Sequence, residues 1–172
     1  SLGIFTELND EDGVLDVYNS IGSAYLDLLH PDSALYFFDL AYQLSGKINN
    51  LDKQATSLNN LGTAYFDKKK YKKALEYYDA ALQIELGQED LWLQANTIRN
   101  IGEVTLLLRD YEKSLNYFTR AAEIARNIGA NRLLLDIYSG LSKYWEVKRD
   151  YKKSYEYLRL SNVLKDSIYN EA

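Results

Sequence analysis

Residues 58–66 read LNNLGTAYF, and Gly62 stands in the middle of a segment patterned as a helix. A glycine inside a helix costs roughly 1 kcal/mol relative to alanine, so some feature of the fold must need the missing side chain. The same cost is met twice more at a spacing of forty, in YNSIGSAYL around Gly22 and in IRNIGEVTL around Gly102. Shifting the chain by forty residues on itself aligns Tyr18, Leu58, Ile98 and Tyr138, then Ile21, Leu61, Ile101 and Leu141. Gly22, Gly62, Gly102 and Ser142 follow, and then Tyr25, Tyr65, Thr105 and Trp145. Offsets of 0, 3, 4 and 7 lie on one face of a helix.

A second helix in each period carries Ala34, Ala74, Ser114 and Ser154, then Phe38, Tyr78, Phe118 and Leu158, then Ala41, Ala81, Ala121 and Ser161. Each period is thus expected to be a helical hairpin of a helix A and a helix B. In it the glycine of helix A faces the small residue of helix B, so that the two backbones approach closely. Pro31 begins the first helix B, where its missing N–H had no helical partner in any case. Units of this length that repeat without independent cores stack into a solenoid.

The composition agrees with an all-α reading. One proline in 172 residues leaves few tight turns, and 47% hydrophobic with 26% charged residues is the balance of a folded chain. A net charge of −5 disfavours direct nucleic-acid binding, and the absence of cysteine removes disulfides and thiolate metal sites. No apolar run reaches the roughly 20 residues of a membrane span, so this segment is not expected to insert in a bilayer. The chain has no methionine, which points to a processed chain or an excised domain.

Little in the sequence suggests catalysis. His30, the single histidine, lies between two helices without a nucleophile motif, and reads as a loop residue. Glu7, Asp10, Glu11 and Asp12 lack the glycine and terminal glutamate of a calcium loop. The repeated glycines sit in mid-helix with no phosphate-binding lysine behind them. No catalytic residue, metal or cofactor is expected. Lys68, Lys69, Lys70, Lys72 and Lys73 read more simply as an exposed turn than as a patch for an acidic ligand.

The stretch LNNLGTAYFDKKKYKKALEYYDAAL resembles a tetratricopeptide repeat, with Leu58, Leu61, Gly62, Tyr65, Ala74, Tyr78 and Ala81 at the signature positions. The period of 40 is similar to the longer variant of kinesin light chains and bacterial signalling proteins, with longer helices or connections such as GKINNLDK and RNIGANR absorbing the difference. The resemblance implies a right-handed α-α superhelix forming one domain, with repeats at about 13–50, 51–90, 91–130 and 131–169. Ile4 and Leu8, forty before Leu44 and Ile48, make residues 1–9 the tail of a possible preceding repeat.

Away from the hairpin contact, helix A of each repeat carries short polar residues: Asp16, Asn19, Ser20 and Ser23, then Thr56, Asn59, Asn60 and Thr63. Asn96, Arg99, Asn100 and Glu103 follow in the third repeat, with Asp136, Ser139 and Lys143 in the fourth. Stacked helices A would line a concave polar wall, which in tetratricopeptide proteins is the usual ligand groove. An asparagine offers donor and acceptor together, so this ladder can pair with the backbone of an extended peptide. The groove is thus expected to hold Asn19, Ser23, Asn59, Asn60, Thr63, Asn96, Arg99, Asn100, Glu103 and Lys143; plain solvation of a polar surface is the alternative.

The ending YEYLRLSNVLKDSIYNEA resembles the closing stretch of repeat arrays in bacterial sensor histidine kinases and helix-turn-helix regulators. That resemblance implies a sensing or coupling domain, often outside the cytoplasmic membrane, which favours a periplasmic location over a cytoplasmic one. A structural scaffold acting through self-association is the alternative. The apolar stripe of Tyr157, Leu160, Leu164 and Ile168 offers an edge for a homodimer.

Overall fold

The structure, a computed structural model, describes residues 11–170, and these hold eight helices and no strand. The expected tail of a preceding repeat lies outside the described residues, as do Glu7 and Asp10. The chain divides into two compact units that meet in sequence between Gln88 and Glu89.

The first unit contains α1 (Glu11–Asp27), α2 (Pro31–Lys47), α3 (Leu51–Asp67) and α4 (Tyr71–Glu85). Each helix packs on the next, and α1 also touches α3. Phe38, Ala34, Leu61 and Ala64 form its buried centre, flanked by Tyr25, Leu35 and Tyr77. The second unit contains α5 (Leu91–Leu107), α6 (Tyr111–Asn127), α7 (Asn131–Val147) and α8 (Tyr151–Asn170). It is built in the same way, with α5 touching α7, and its interior includes Ile98, Ile101, Val104, Phe118, Ala121, Ile137 and Leu141.

The longer period is absorbed by helices and not by connections. Stretches such as the eight-residue GKINNLDK resolve into a helix end, a three-residue turn at 48–50 and the start of the next helix. Six of the eight helices are 17 residues long, and three-residue turns separate them everywhere except between α4 and α5. Those turns share one geometry. At the end of α3, Lys70 N–H donates to Tyr65 O at 2.9 Å and Lys69 N–H to Phe66 O at 2.8 Å, with φ of Lys69 at 57°. This pair of bonds around a left-handed residue satisfies the last carbonyls of the helix. It recurs at Leu29, Asn49, Arg109, Gly129 and Arg149. The helix stop is therefore made by the backbone.

The glycine of helix A faces a ring, which corrects the small-against-small expectation. A Cβ built on Gly62 would lie 2.5 Å from Tyr78 Cε1, and one on Gly22 would overlap the ring of Phe38. On Gly102 it would come within 3.1 Å of Phe118. The small residue of helix B meets helix A beside this point: Ser114 Oγ of helix B donates to Gly102 O of helix A at 2.8 Å, and in the last repeat the direction reverses, Ser142 Oγ of helix A donating to Ser154 O of helix B at 2.9 Å. The hairpin is close because a ring occupies the space that the glycine vacates. Position 158 departs from this plan. Phe38, Tyr78 and Phe118 are buried, whereas Leu158 is 47% exposed.

Candidate functional site

Within the first unit the polar residues of the two A helices meet. Asn60 Nδ2 donates to Asn19 Oδ1 at 3.1 Å, from α3 to α1. Lys53, absent from the expected set, reaches from α3 to Asp16 of α1. Near the helix starts Asn50 Nδ2 donates to Asp12 Oδ1 at 3.1 Å, so three contacts tie one A helix to the other. Two hydroxyls are turned back on their own helix, Ser20 Oγ to Asp16 O and Thr56 Oγ1 to Asp52 O. Thr63 lies 3.1 Å from the Tyr78 hydroxyl as well as from Asn59 O. Ser23 is exposed. Asn59 is only 6% exposed, so its amide belongs to the interior of the fold and not to an open wall.

In the second unit three residues of the expected wall, Arg99, Glu103 and Lys143, are charged. Arg99 Nη2 donates to Asn96 Oδ1 at 3.2 Å, and Arg99 Nη1 lies 3.5 Å from Glu103 Oε2. Lys143 of α7 reaches back to Glu103 Oε1 at 3.8 Å. The two cations thus share one carboxylate, and the wall carries mixed charge where a carboxylate clamp would need unneutralised cations. Pairs this exposed contribute little to stability, but they fix where each charge sits. Asn100 is 8% exposed and, like Asn59, lies inside. Ser139 leaves the wall to approach Ser161 Oγ at 3.0 Å.

Gly140 stands where Asn60 and Asn100 stand in the earlier repeats. A Cβ there would lie 2.6 Å from Phe118 Cε1, so the ring takes the room that an asparagine would need. Gly102 and Gly140 hold Phe118 between them. Among the described residues no group of three or more His, Asp or Glu side chains could hold a metal ion, and no helix is long and apolar enough to cross a membrane.

No curated protein sequence matches the chain. Among solved structures, aspartyl phosphate phosphatase F from Bacillus subtilis superposes with a TM-score of 0.83 at 16% identity, over 92% of this chain and 42% of that one. BtubC from P. vanneervenii gives 0.76 at 20% identity, over 93% and 66%. A Rap protein complexed with competence and sporulation factor gives 0.70 at 14% identity, over 99% and 58%. The chain spans less than two thirds of the length of each. At these identities the likeness is one of fold. The sequence itself matches the tetratricopeptide repeat family over residues 13–87 and 53–127, overlapping stretches that take in most of the chain. With the hairpins, the glycine-and-ring contact and this match in hand, the chain belongs to the tetratricopeptide repeat family.

Proposed function

We propose that the chain is a protein- or peptide-binding module whose repeats act as one domain, with the polar faces of its A helices as the ligand wall. The observation that carries this reading is the pairing of A helices through polar side chains in each unit, Asn60 with Asn19 and Lys143 with Glu103. Amides and charges held at fixed positions are suited to an extended backbone and its polar side chains. The accessible wall is Asn19, Ser23, Asn60 and Thr63 in the first unit, and Asn96, Arg99, Glu103 and Lys143 in the second. In a signalling protein of bacterial type such a wall would serve as the sensing or coupling element, on the periplasmic side in the arrays that the C-terminal stretch resembles. The similar Rap protein, solved with competence and sporulation factor, supports a ligand-binding role for this fold.

A displayed peptide library selected on the purified chain tests the reading. Selected peptides should lose affinity by roughly fivefold or more for Asn60→Ala and Arg99→Ala, the cost of one polar contact, and keep it for Lys69→Ala. No enrichment, or equal affinity across the three variants, overturns it.

Self-association is a second reading, favoured by α8. Leu158 is exposed at the position where the other repeats bury a ring, and Tyr155 and Val163 are exposed beside it. Sedimentation velocity should show concentration-dependent dimers that weaken with Leu158→Glu. A strict monomer at high concentration removes this alternative.

A further inference from the structure

The A and B helices of a repeat are seamed by aromatic rings. In the first unit Tyr25 stacks on Phe37 with centroids 5.6 Å apart and planes at 12°, and Tyr65 stacks on Tyr77 at 5.2 Å and 11°. Phe37 also touches Tyr18 at 6.4 Å. The forty-residue register puts Trp145 and Tyr157 at the stacking positions of the last repeat, with Tyr138 as the third ring. There Tyr157 keeps its contact with Tyr138, at 5.9 Å and 47°, while Trp145 meets Tyr144 edge-on at 5.0 Å. Lys153 lies over the indole at 4.0 Å. Tyr157 lies against Tyr138 and the seam stays open as a pocket of about 450 Å³ between Tyr138, Trp145, Tyr157 and Leu160.

The polar groups of this pocket are mostly donors. Trp145 Nε1–H is buried and has no acceptor, an arrangement whose cost an incoming acceptor would remove. Arg126 Nε donates to the Tyr138 hydroxyl at 3.2 Å, which leaves the outer guanidinium N–H groups and the phenolic proton to donate. Lys153 adds an ammonium, shared with Asp150 at 3.5 Å. One carboxylate, Glu156, is on the lining. Together with Asp150 it offsets the two cations, which disfavours a dianion and leaves a single carboxylate to be held by the directional N–H donors. The volume lies within the roughly 300–1,000 Å³ of small-ligand sites.

We propose that this pocket binds a planar monoanionic carboxylate, an aromatic or conjugated acid. Its ring would enter between Tyr138, Tyr157 and the indole edge, and its oxygens would accept from Arg126 and Trp145 Nε1–H. The site shares no residue with the proposed peptide wall, so either can fail without the other.

The test is a nitrogen-15 NMR titration of the whole chain with benzoate, following the two indole N–H signals, with inorganic phosphate as the comparison anion. Benzoate should move the Trp145 signal saturably and leave that of Trp92 in place. Arg126→Gln should weaken the effect roughly tenfold, as loss of a charge-assisted hydrogen bond does, and Glu156→Gln should strengthen it. Because Arg126 and Glu156 are both exposed, the two variants are expected to fold, and opposite effects from them cannot come from misfolding. No saturable shift up to tens of millimolar benzoate, or equal shifts of both indoles, overturns the site. Equal response to phosphate overturns the planar carboxylate.

Discussion

At the three glycines of helix A the free space differs, and so should the response to one added methyl group. Gly22 and Gly62 face buried rings at distances no Cβ can share, whereas the 3.1 Å at Gly102 asks the ring to give only slightly. Gly22→Ala and Gly62→Ala should destabilise by about 1–3 kcal/mol through overpacking, less the roughly 1 kcal/mol of helix propensity that alanine regains. Gly102→Ala should be close to neutral. Urea unfolding followed by circular dichroism gives the order, and equal midpoints for all three variants would remove the ring-in-glycine account. A second residue-level consequence concerns Asp32. The hydrogen bond and charge of Lys68 hold its carboxyl below the ordinary carboxylate range. A carboxyl with a lowered folded-state pKa contributes stability above its unfolded pKa and loses it as pH falls through the folded one. Lys68→Ala should return the Asp32 titration toward the ordinary value in an NMR pH series, with little change in the neutral-pH melting midpoint because the pair is exposed. The recurring cost of Gly22, Gly62 and Gly102 was legible in the sequence. Its recipient was not, because the period shows that a space is kept and not which side chain enters it.

Between helices, the sequence hid the stop signals. Five of the left-handed turn residues are leucine, asparagine, lysine or arginine, so the glycine that normally betrays such a turn occurs only at Gly129. An L-residue in that region costs roughly 1–2 kcal/mol, of which glycine would recover a part after its own entropy is counted. Lys69→Gly and Arg149→Gly should therefore stabilise by up to about 1 kcal/mol. Helix starts are uneven in the same way. Asn50, Asp90, Asp110 and Asp150 accept from the backbone N–H three residues on, while His30 and Lys70 make no side-chain cap. Lys70→Asp should add about 1 kcal/mol by supplying the missing acceptor. Thermal unfolding measures both changes, and a loss of stability in either would mean that the turn geometry is not what sets these ends. Pro31 was readable because it is tolerated at a helix start, and its place at the head of α2 follows the sequence expectation.

For the molecule as a whole, periodicity made the repeat fold legible and left the ligand wall half-drawn. Helical offsets located Asn19 and Asn60 on facing surfaces, where they meet. The same offsets grouped Asn59 and Asn100 with them, because one-face arithmetic does not separate a wall residue from a neighbour a hundred degrees round that packing has buried. Lys53 and Gly140 left no signal in the repeat pattern, since each departs from it, and the open aromatic seam left none because Trp145 and Tyr157 keep the pattern while their rings make other contacts. The five residues Leu86–Asp90 likewise read as one more connection, yet they are the longest link between described helices and contain the boundary of the two units. This link has a consequence for insertions and deletions. Every other connection is three residues closed by the same pair of backbone bonds, so an extra residue inside a helix has nowhere to be absorbed. One alanine inserted after Asn116 would turn Phe118, Ala121 and Ala125 by about 100° about the axis of α6 and take all three out of the core. The same alanine between Gln88 and Glu89 changes the register of no helix within either unit. The first insertion should abolish the cooperative melt and the second should leave it in place. Length variation among chains built on this plan is therefore expected as whole periods of forty, or as single residues confined to a link of this kind.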